Sequence, residues 1–313
     1  MNEHEKIAAD IFSQYGLSFE TAQRAGGWTN AVWLNGDVVL RLSKERGSDR
    51  IRREVERTKA LPPSVGYPRS IATGIIDGYE WSLAERIQGQ PLSNIWDKLS
   101  WVEKAIAVRQ ILAIMDGVHS VAVSKIEHLT LRTAWYNQFD KDSSFADIER
   151  YVERKIFTPQ QGRVLRDILE RFYFWKNRAD CVLCHGDITM DNLLWHDGNV
   201  VSLLDFEHSV IAPCQLDVHS LVNLALVPHD VVLLVEPGPG AVQYVKEMIA
   251  LFAPYLSEQC GKDLFLSYNV LFRQRFLEFW LANPEKEIGE CDAYQKLLSF
   301  CDGGGGYLMG LLD

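Results

Sequence analysis

The chain of 313 residues has no apolar run approaching the roughly 18 residues that a membrane-crossing helix needs. Its first residues, Met1-Asn2-Glu3-His4-Glu5, lack the basic start and apolar stretch of a signal peptide. These absences predict a cytoplasmic protein with no membrane partner. Basic charge is in deficit: 32 Lys and Arg face 42 Asp and Glu, for a net charge of −10. A phosphate backbone is bound through clustered Lys and Arg, so nucleic acid is not the expected partner. Cysteine is sparse, and the six present are too scattered for a disulfide framework. Cys181-Val182-Leu183-Cys184 has no second cysteine or histidine pair nearby to complete a metal site, and its apolar setting predicts a buried strand. Apolar material is what the chain has in quantity. Hydrophobic residues make up 47% of it, enough for the core of one large domain or two ordinary ones.

Periodicity divides the chain. Residues 3 to 15 predict a short amphipathic helix, and from Thr21 to Gly89 the pattern is strand-like, broken by turns at Gly26-Gly27, Asn35-Gly36-Asp37 and Asp77-Gly78. Asn35-Gly36 between Ala31 to Leu34 and Val38 to Leu42 reads as a tight hairpin. One helical interruption, Asp49 to Leu61, carries Ile51, Val55 and Thr58 on one face and is stopped by Pro62-Pro63. Beyond Gly89 the period becomes helical over Trp101 to His119, Phe145 to Lys155, Gln160 to Trp175, Ala241 to Phe252 and Leu264 to Leu281. A non-helical block, Cys181 to Phe206, lies among them. Gly303 to Gly306 reads as a flexible turn. The expected class is α+β, a β-rich unit over residues 1–88 and a larger helical one over 89–313.

The non-helical block carries the chemistry. It runs His185-Gly186-Asp187-Ile188-Thr189-Met190-Asp191-Asn192, followed by Leu204-Asp205-Phe206-Glu207. His196-Asp197-Gly198-Asn199 joins two short apolar segments as a hairpin and returns Asp205 beside the loop of Asp187 and Asn192. A carboxylate, an amide oxygen and a second carboxylate then converge. Phosphoryl transfer asks for positioning and charge neutralisation more than covalent chemistry, and this set answers both needs. Hard oxygen ligands suit Mg²⁺, with Asn192 and Asp205 as its ligands. Asp187 is left to orient an acceptor hydroxyl and take its proton.

His-Gly-Asp-x-x-x-x-Asn followed by Asp-Phe-Glu resembles the aminoglycoside phosphotransferase and choline kinase-like family. The resemblance implies a two-lobed protein-kinase-like fold: a small antiparallel sheet with one helix, a hinge at about 84–88 and a larger mainly helical lobe. It implies ATP or GTP as co-substrate, and the same roles for Asp187, Asn192 and Asp205. Val38-Val39-Leu40-Arg41 matches the strand on which protein kinases carry a phosphate-binding Lys, with Arg in its place. Strand parity favours Arg41 over Lys44. A cation there needs a carboxylate from the helix; Glu54 falls on the face of Ile51, whereas Glu56 points away. By position, Ala25-Gly26-Gly27-Trp28-Thr29-Asn30 resembles the phosphate-covering loop, so Gly27 and Thr29 are nucleotide-binding candidates. Leu83 to Gly89 resembles the hinge, where main-chain groups of Glu85 and Ile87 would meet the base edge. His185 is expected to orient the loop, and Asp217 to anchor it.

Only twelve positions separate Asp205 from Asp217, and no Ala-Pro-Glu follows, which sets aside a protein kinase with a long activation loop. A nucleotide-binding pseudokinase would be expected to have lost Asp187, Asn192 or Asp205, and all three are present. The expected partners are a nucleotide and a small acceptor. Aminoglycosides, choline-like alcohols, homoserine and sugars all remain open. A cationic, polyhydroxylated acceptor is favoured by the −10 balance, by Asp191 and Glu207 beside the block, and by the acidic Glu278, Glu285, Glu287, Glu290 and Asp292.

Overall fold

A computed structural model describes residues 1–27, 29–127, 140–226, 239–283 and 287–303. Trp28, Glu285 and the glycines at 304–306 lie outside the described residues.

Helix α1 (Glu3–Gln14) starts at a capping box in which the Asn2 side chain accepts the Glu5 amide and Glu5 accepts the Asn2 amide. Its Ile7, Ala8, Ile11 and Phe12 are buried against an antiparallel five-stranded sheet. The sheet comprises β1 (Gln23–Ala25), β2 (Asn30–Asn35), β3 (Val38–Ser43), β4 (Ser70–Ile76) and β5 (Tyr79–Glu85), in the order β1-β2-β3-β5-β4. Alternation fixes which residues face inward: Trp33, Leu40, Leu42, Trp81 and Leu83 join the α1 residues in one hydrophobic cluster. Between β3 and β4 comes helix α2 (Arg50–Thr58).

The rest of the chain is mainly helical: α3 (Trp101–His119), α4 (Lys141–Glu153), α5 (Pro159–Trp175), α6 (Gln215–Leu226), α7 (Pro239–Phe252), α8 (Gln259–Leu281) and α9 (Asp292–Gly303). A second, larger hydrophobic cluster lies among them, with Ile111, Met115, Leu169, Phe172, Leu221, Phe265 and Tyr268 fully or almost fully buried. Capping explains why some helices begin earlier than the apolar period implies. Asp140 accepts the Ser143 amide and starts α4 at Lys141, and Thr158 forms a capping box with Gln161 and starts α5 at Pro159. No helix among the described residues is long and apolar enough to cross a membrane.

Short strands mark the non-helical block. These are β6 (Gln90–Pro91), β7 (Val182–Cys184), β8 (Leu193–His196), β9 (Asn199–Leu203) and β10 (Val210–Ala212), paired as β6-β8-β9 and β10-β7, all antiparallel. Asp197 and Gly198 both have positive φ (46° and 81°), the requirement of a type I′ turn. Cys184 is buried on β7, but Cys181 is exposed one residue ahead of the strand, so only half of that pair is strand core. All six cysteines are free.

Candidate active site

The loop after β7 turns at Gly186, whose φ is 81°; a Cβ there would lie 2.5 Å from the His208 carbonyl oxygen, so glycine is required by conformation and by space. The amides of His185 and Gly186 both donate to the buried carboxylate of Asp217, at 2.8 Å each. His119, at the end of α3, reaches the same carboxylate at 3.0 Å. Burial alone would raise the Asp217 carboxyl, but the His119 and amide contacts hold it below its ordinary value. His185 is fully buried. Its Nε2 meets the Leu204 carbonyl at 2.8 Å, its Nδ1 accepts the Asp187 amide at 3.2 Å, and its ring sits edge-on to Phe206 with centroids 4.5 Å apart. The loop bearing Asp187 is thereby pinned from both ends.

Asp187 itself is half-buried. Asn192 Nδ2 donates to the Asp187 carbonyl at 3.0 Å and to its Oδ2 at 3.3 Å, which turns the Asn192 amide oxygen away from Asp187. The Asn192 carbonyl accepts the Leu204 amide at 2.8 Å, bringing the next residue, Asp205, alongside. Asp205 has φ 63° and ψ 70°, a left-handed conformation that costs a non-glycine residue on the order of 1–3 kcal/mol. Its Oδ1 is buried and accepts no hydrogen bond, with the Arg41 guanidinium 4.0 Å away. Burial, and then the nearby Glu54 carboxylate, push the Asp205 carboxyl up to about 7. A buried carboxylate oxygen without a hydrogen-bond partner among the described residues, together with an amide oxygen turned away from Asp187, is a donor set that fits a hard divalent cation.

Arg41 and Glu54 meet in a two-pronged ion pair, Nη1 to Oε1 at 2.9 Å and Nη2 to Oε2 at 2.7 Å. Glu54 is 1% exposed, whereas Glu56 is on the solvent side of α2. The Glu54 carboxylate also accepts the Tyr67 hydroxyl at 2.7 Å and the Phe206 amide at 3.2 Å. Burial would raise its carboxyl; Arg41, Tyr67 and the Phe206 amide together keep it below the ordinary value. Lys44 lies elsewhere, its Nζ donating to the Gly27 carbonyl at 2.7 Å. At Gly27 a Cβ would run into the Asn30 carbonyl oxygen, so this loop also has room only for glycine. The Thr29 hydroxyl faces Glu207 at 3.4 Å, joining the loop to the segment after Asp205.

The Glu85 amide is taken by the Arg69 carbonyl at 2.9 Å and its side chain by the Arg69 guanidinium, so a base edge there would be met by another main-chain group. Two expectations need correction. Glu207 does not stand open beside the loop: its side chain is 7% exposed and engaged by Thr29 and His208. Of the acidic residues toward the end of the chain, Glu278 is paired to Arg150 at 2.8 Å and the exposed Asp292 to Lys296 at 2.9 Å. Conversely, the sequence reading passed over Tyr67, His119 and Arg57. Arg57 could have been noticed, because it lies three residues after Glu54 and therefore on the same helix face. For Tyr67 and His119 the sequence holds no local signal.

Comparison with known proteins gives consistent results. Residues 20–236 match the profile of a family described as "Phosphotransferase enzyme family". An aminoglycoside 3'-phosphotransferase of Escherichia coli is 23% identical over 222 residues, spanning 70% of this chain and 77% of that protein. Among solved structures, the GDP complex of aminoglycoside 2'-phosphotransferase-IIIa superposes with a TM-score of 0.65 at 16% identity, covering 96% of this chain and 97% of the other. The streptomycin-ATP-APH(2")-IIa ternary complex gives 0.58 at 13% identity, covering 96% and 97%. At such identities the structural likeness speaks for the fold.

Proposed function

The chain belongs to the phosphotransferase enzyme family, and on that premise we propose that it moves the γ-phosphoryl group of ATP or GTP to a hydroxyl of a small amine-bearing molecule, an aminoglycoside or related amino alcohol. Two lobes of a kinase-like fold, residues 1–88 and 89–313, would hold the nucleotide between them. Arg41, fixed by Glu54, lies on the phosphate side; Gly27 and Thr29 cover the phosphates, and the base edge meets the main chain near Ile87 and the Glu85 carbonyl.

The observation that carries this reading is the convergence of Asp187, Asn192 and Asp205 on one hydrogen-bonded turn. Asp187 accepts the proton of the acceptor hydroxyl as its oxygen bonds to the γ-phosphorus; the bond to the bridging oxygen breaks and the nucleoside diphosphate leaves. Asn192 and Asp205 would hold Mg²⁺, which when bound supplies positive charge to the phosphates. Asn192 also orients Asp187 through its amide group.

The deciding experiment follows diphosphate release from Mg·ATP and Mg·GTP against a panel of hydroxylated amines, with choline, homoserine and neutral sugars as controls. Turnover is expected with an amine-bearing acceptor. Asp187→Asn should lower it by roughly 10² to 10⁴ while nucleotide affinity stays within twofold of the original protein. A best acceptor among the controls would change the substrate class, and Asp187→Asn turnover within tenfold of the original would remove Asp187 from its role.

A further inference from the structure

Arg57 is 2% exposed, yet no carboxylate among the described residues forms an ion pair with it, and its Nε has no hydrogen-bond partner. Burial, reinforced by the neighbouring Arg53, lowers its guanidinium to about 10, so the group still carries its charge at neutral pH. A buried cation without an ion pair is costly to retain, and the more distant Glu54 and Asp49 carboxylates offset only part of that cost. What the guanidinium hydrogen-bonds is the segment after Asp205. Nη1 donates to the Ser209 carbonyl at 3.2 Å and approaches the Ser209 hydroxyl at 3.1 Å, while that hydroxyl donates to the Phe206 carbonyl at 2.7 Å. One turn earlier on α2, Glu54 accepts the Phe206 amide at 3.2 Å. A single helix face therefore grips both ends of the short turn Phe206–His208, and Asp205 sits at its head in a strained left-handed conformation.

We infer that Arg57 is a positioning residue which, through Ser209, locks the turn after Asp205 onto α2 and so holds the Asp205 carboxylate in its metal-binding pose. The inference rests on Asp205 holding the metal, as proposed above. Without the lock, Asp205 can relax from φ 63° toward an ordinary backbone conformation, and its carboxylate leaves the position shared with Asn192 and Arg41. Glu54 couples α2 to Arg41, and Arg57 couples α2 to Asp205. The same helix thus sets the spacing between the phosphate-side cation and the metal-side carboxylate.

The test compares the full-length protein with Arg57→Met, Arg57→Lys and Ser209→Ala variants. In Arg57→Met the half-saturating Mg²⁺ concentration should rise by roughly tenfold or more, the usual range for loss of a group that supports a metal ligand. Metal-free nucleotide affinity and acceptor KM should each stay within about twofold, a pattern that general loosening of the fold would not produce. Amide exchange at residues 206–209, measured without metal, should quicken while exchange in α3 is unchanged. Ser209→Ala keeps the carbonyl bond and should show the same changes at smaller size, and Arg57→Lys should recover part of the loss. If Arg57→Met does not fold, Ser209→Ala decides. Unchanged Mg²⁺ dependence together with unchanged exchange at 206–209, in any folded variant lacking the Ser209 hydroxyl contact, overturns the inference. Should Asp205→Asn itself leave the Mg²⁺ requirement intact, the metal reading fails, and the metal-free exchange still reports whether Arg57 holds the turn.

Discussion

At the scale of single residues, Asp205 concentrates the tension in the site. It combines a left-handed backbone, a buried oxygen without a hydrogen bond and a carboxyl raised to about 7 by burial and by Glu54. The burial and the missing hydrogen bond disfavour the ionised side chain, and a divalent cation would offset both. Asp205→Ala is therefore expected to weaken nucleotide binding in the presence of Mg²⁺ by at least tenfold and to leave metal-free binding nearly unchanged. Calorimetry with and without the metal checks it, and equal affinities for Mg·ATP in both proteins would show that Asp205 is not a ligand. The residues of this turn were legible because they share one short block with fixed spacing. Arg41 and Glu54 were legible through strand parity and helix face. Tyr67 and His119 were not, since each takes its meaning from a partner far along the chain, Tyr67 from Phe206 against which its ring packs and His119 from Asp217; for Arg57 the helix face was legible but the partner, Ser209, was not.

At the scale of elements, α6 supports the loop through Asp217 and carries a buried histidine two residues on. His219 is 4% exposed, its Nδ1 meets the Leu216 carbonyl at 2.5 Å, and its ring lies 4.5 Å from that of Phe272. Burial pushes it down to about 4, from 6.5. The native state therefore keeps His219 neutral at pH values where the unfolded chain takes up a proton. Its contribution to stability is full above about pH 6.5 and is lost as the pH falls toward 4, with a size on the order of 3 kcal/mol. Denaturant unfolding at a series of pH values should show this acid limb, and His219→Phe should flatten it between pH 6.5 and 4.5; an unaltered slope would assign the limb to other groups. That α6 escaped the sequence reading has a physical cause. Leu216, Val218, Leu221, Val222, Leu224 and Ala225 are buried together with the polar Asp217 and His219, so burial does not follow the apolar residues and the helical period is weak. Strand β10 escaped for another reason: it is three residues long and, among the described residues, pairs with β7 alone.

At the scale of the whole molecule, two hydrophobic clusters meet across polar contacts, Glu54 with Phe206, Arg57 with Ser209 and Thr29 with Glu207. The chain does not divide between them as cleanly as its periodicity suggests: Val65 is part of the helical cluster, and Tyr67 packs against it. Net charge has a similarly indirect bearing on the acceptor. Glu278, Asp292 and Glu207 are engaged by partners of their own, so the −10 total does not by itself make an acidic cleft. Around the catalytic loop the negative groups are Asp187, the exposed Asp191 and the phosphates of the proposed nucleotide. An amine-bearing acceptor entering there gains Coulomb energy that a neutral one does not, and salt should reduce the gain as screening shortens from about 30 Å at 0.01 M to about 8 Å at physiological ionic strength. KM for the best acceptor is therefore expected to rise several-fold over that range while kcat changes little, because the attraction acts on binding rather than on the transferred group. The same titration on an acceptor with its amines acetylated should be flat from a higher starting KM. If the unmodified acceptor is equally insensitive to salt, or if the acetylated one binds as well, recognition rests on shape and hydrogen bonds instead of charge, and the phosphotransferase assignment stands without the cationic acceptor.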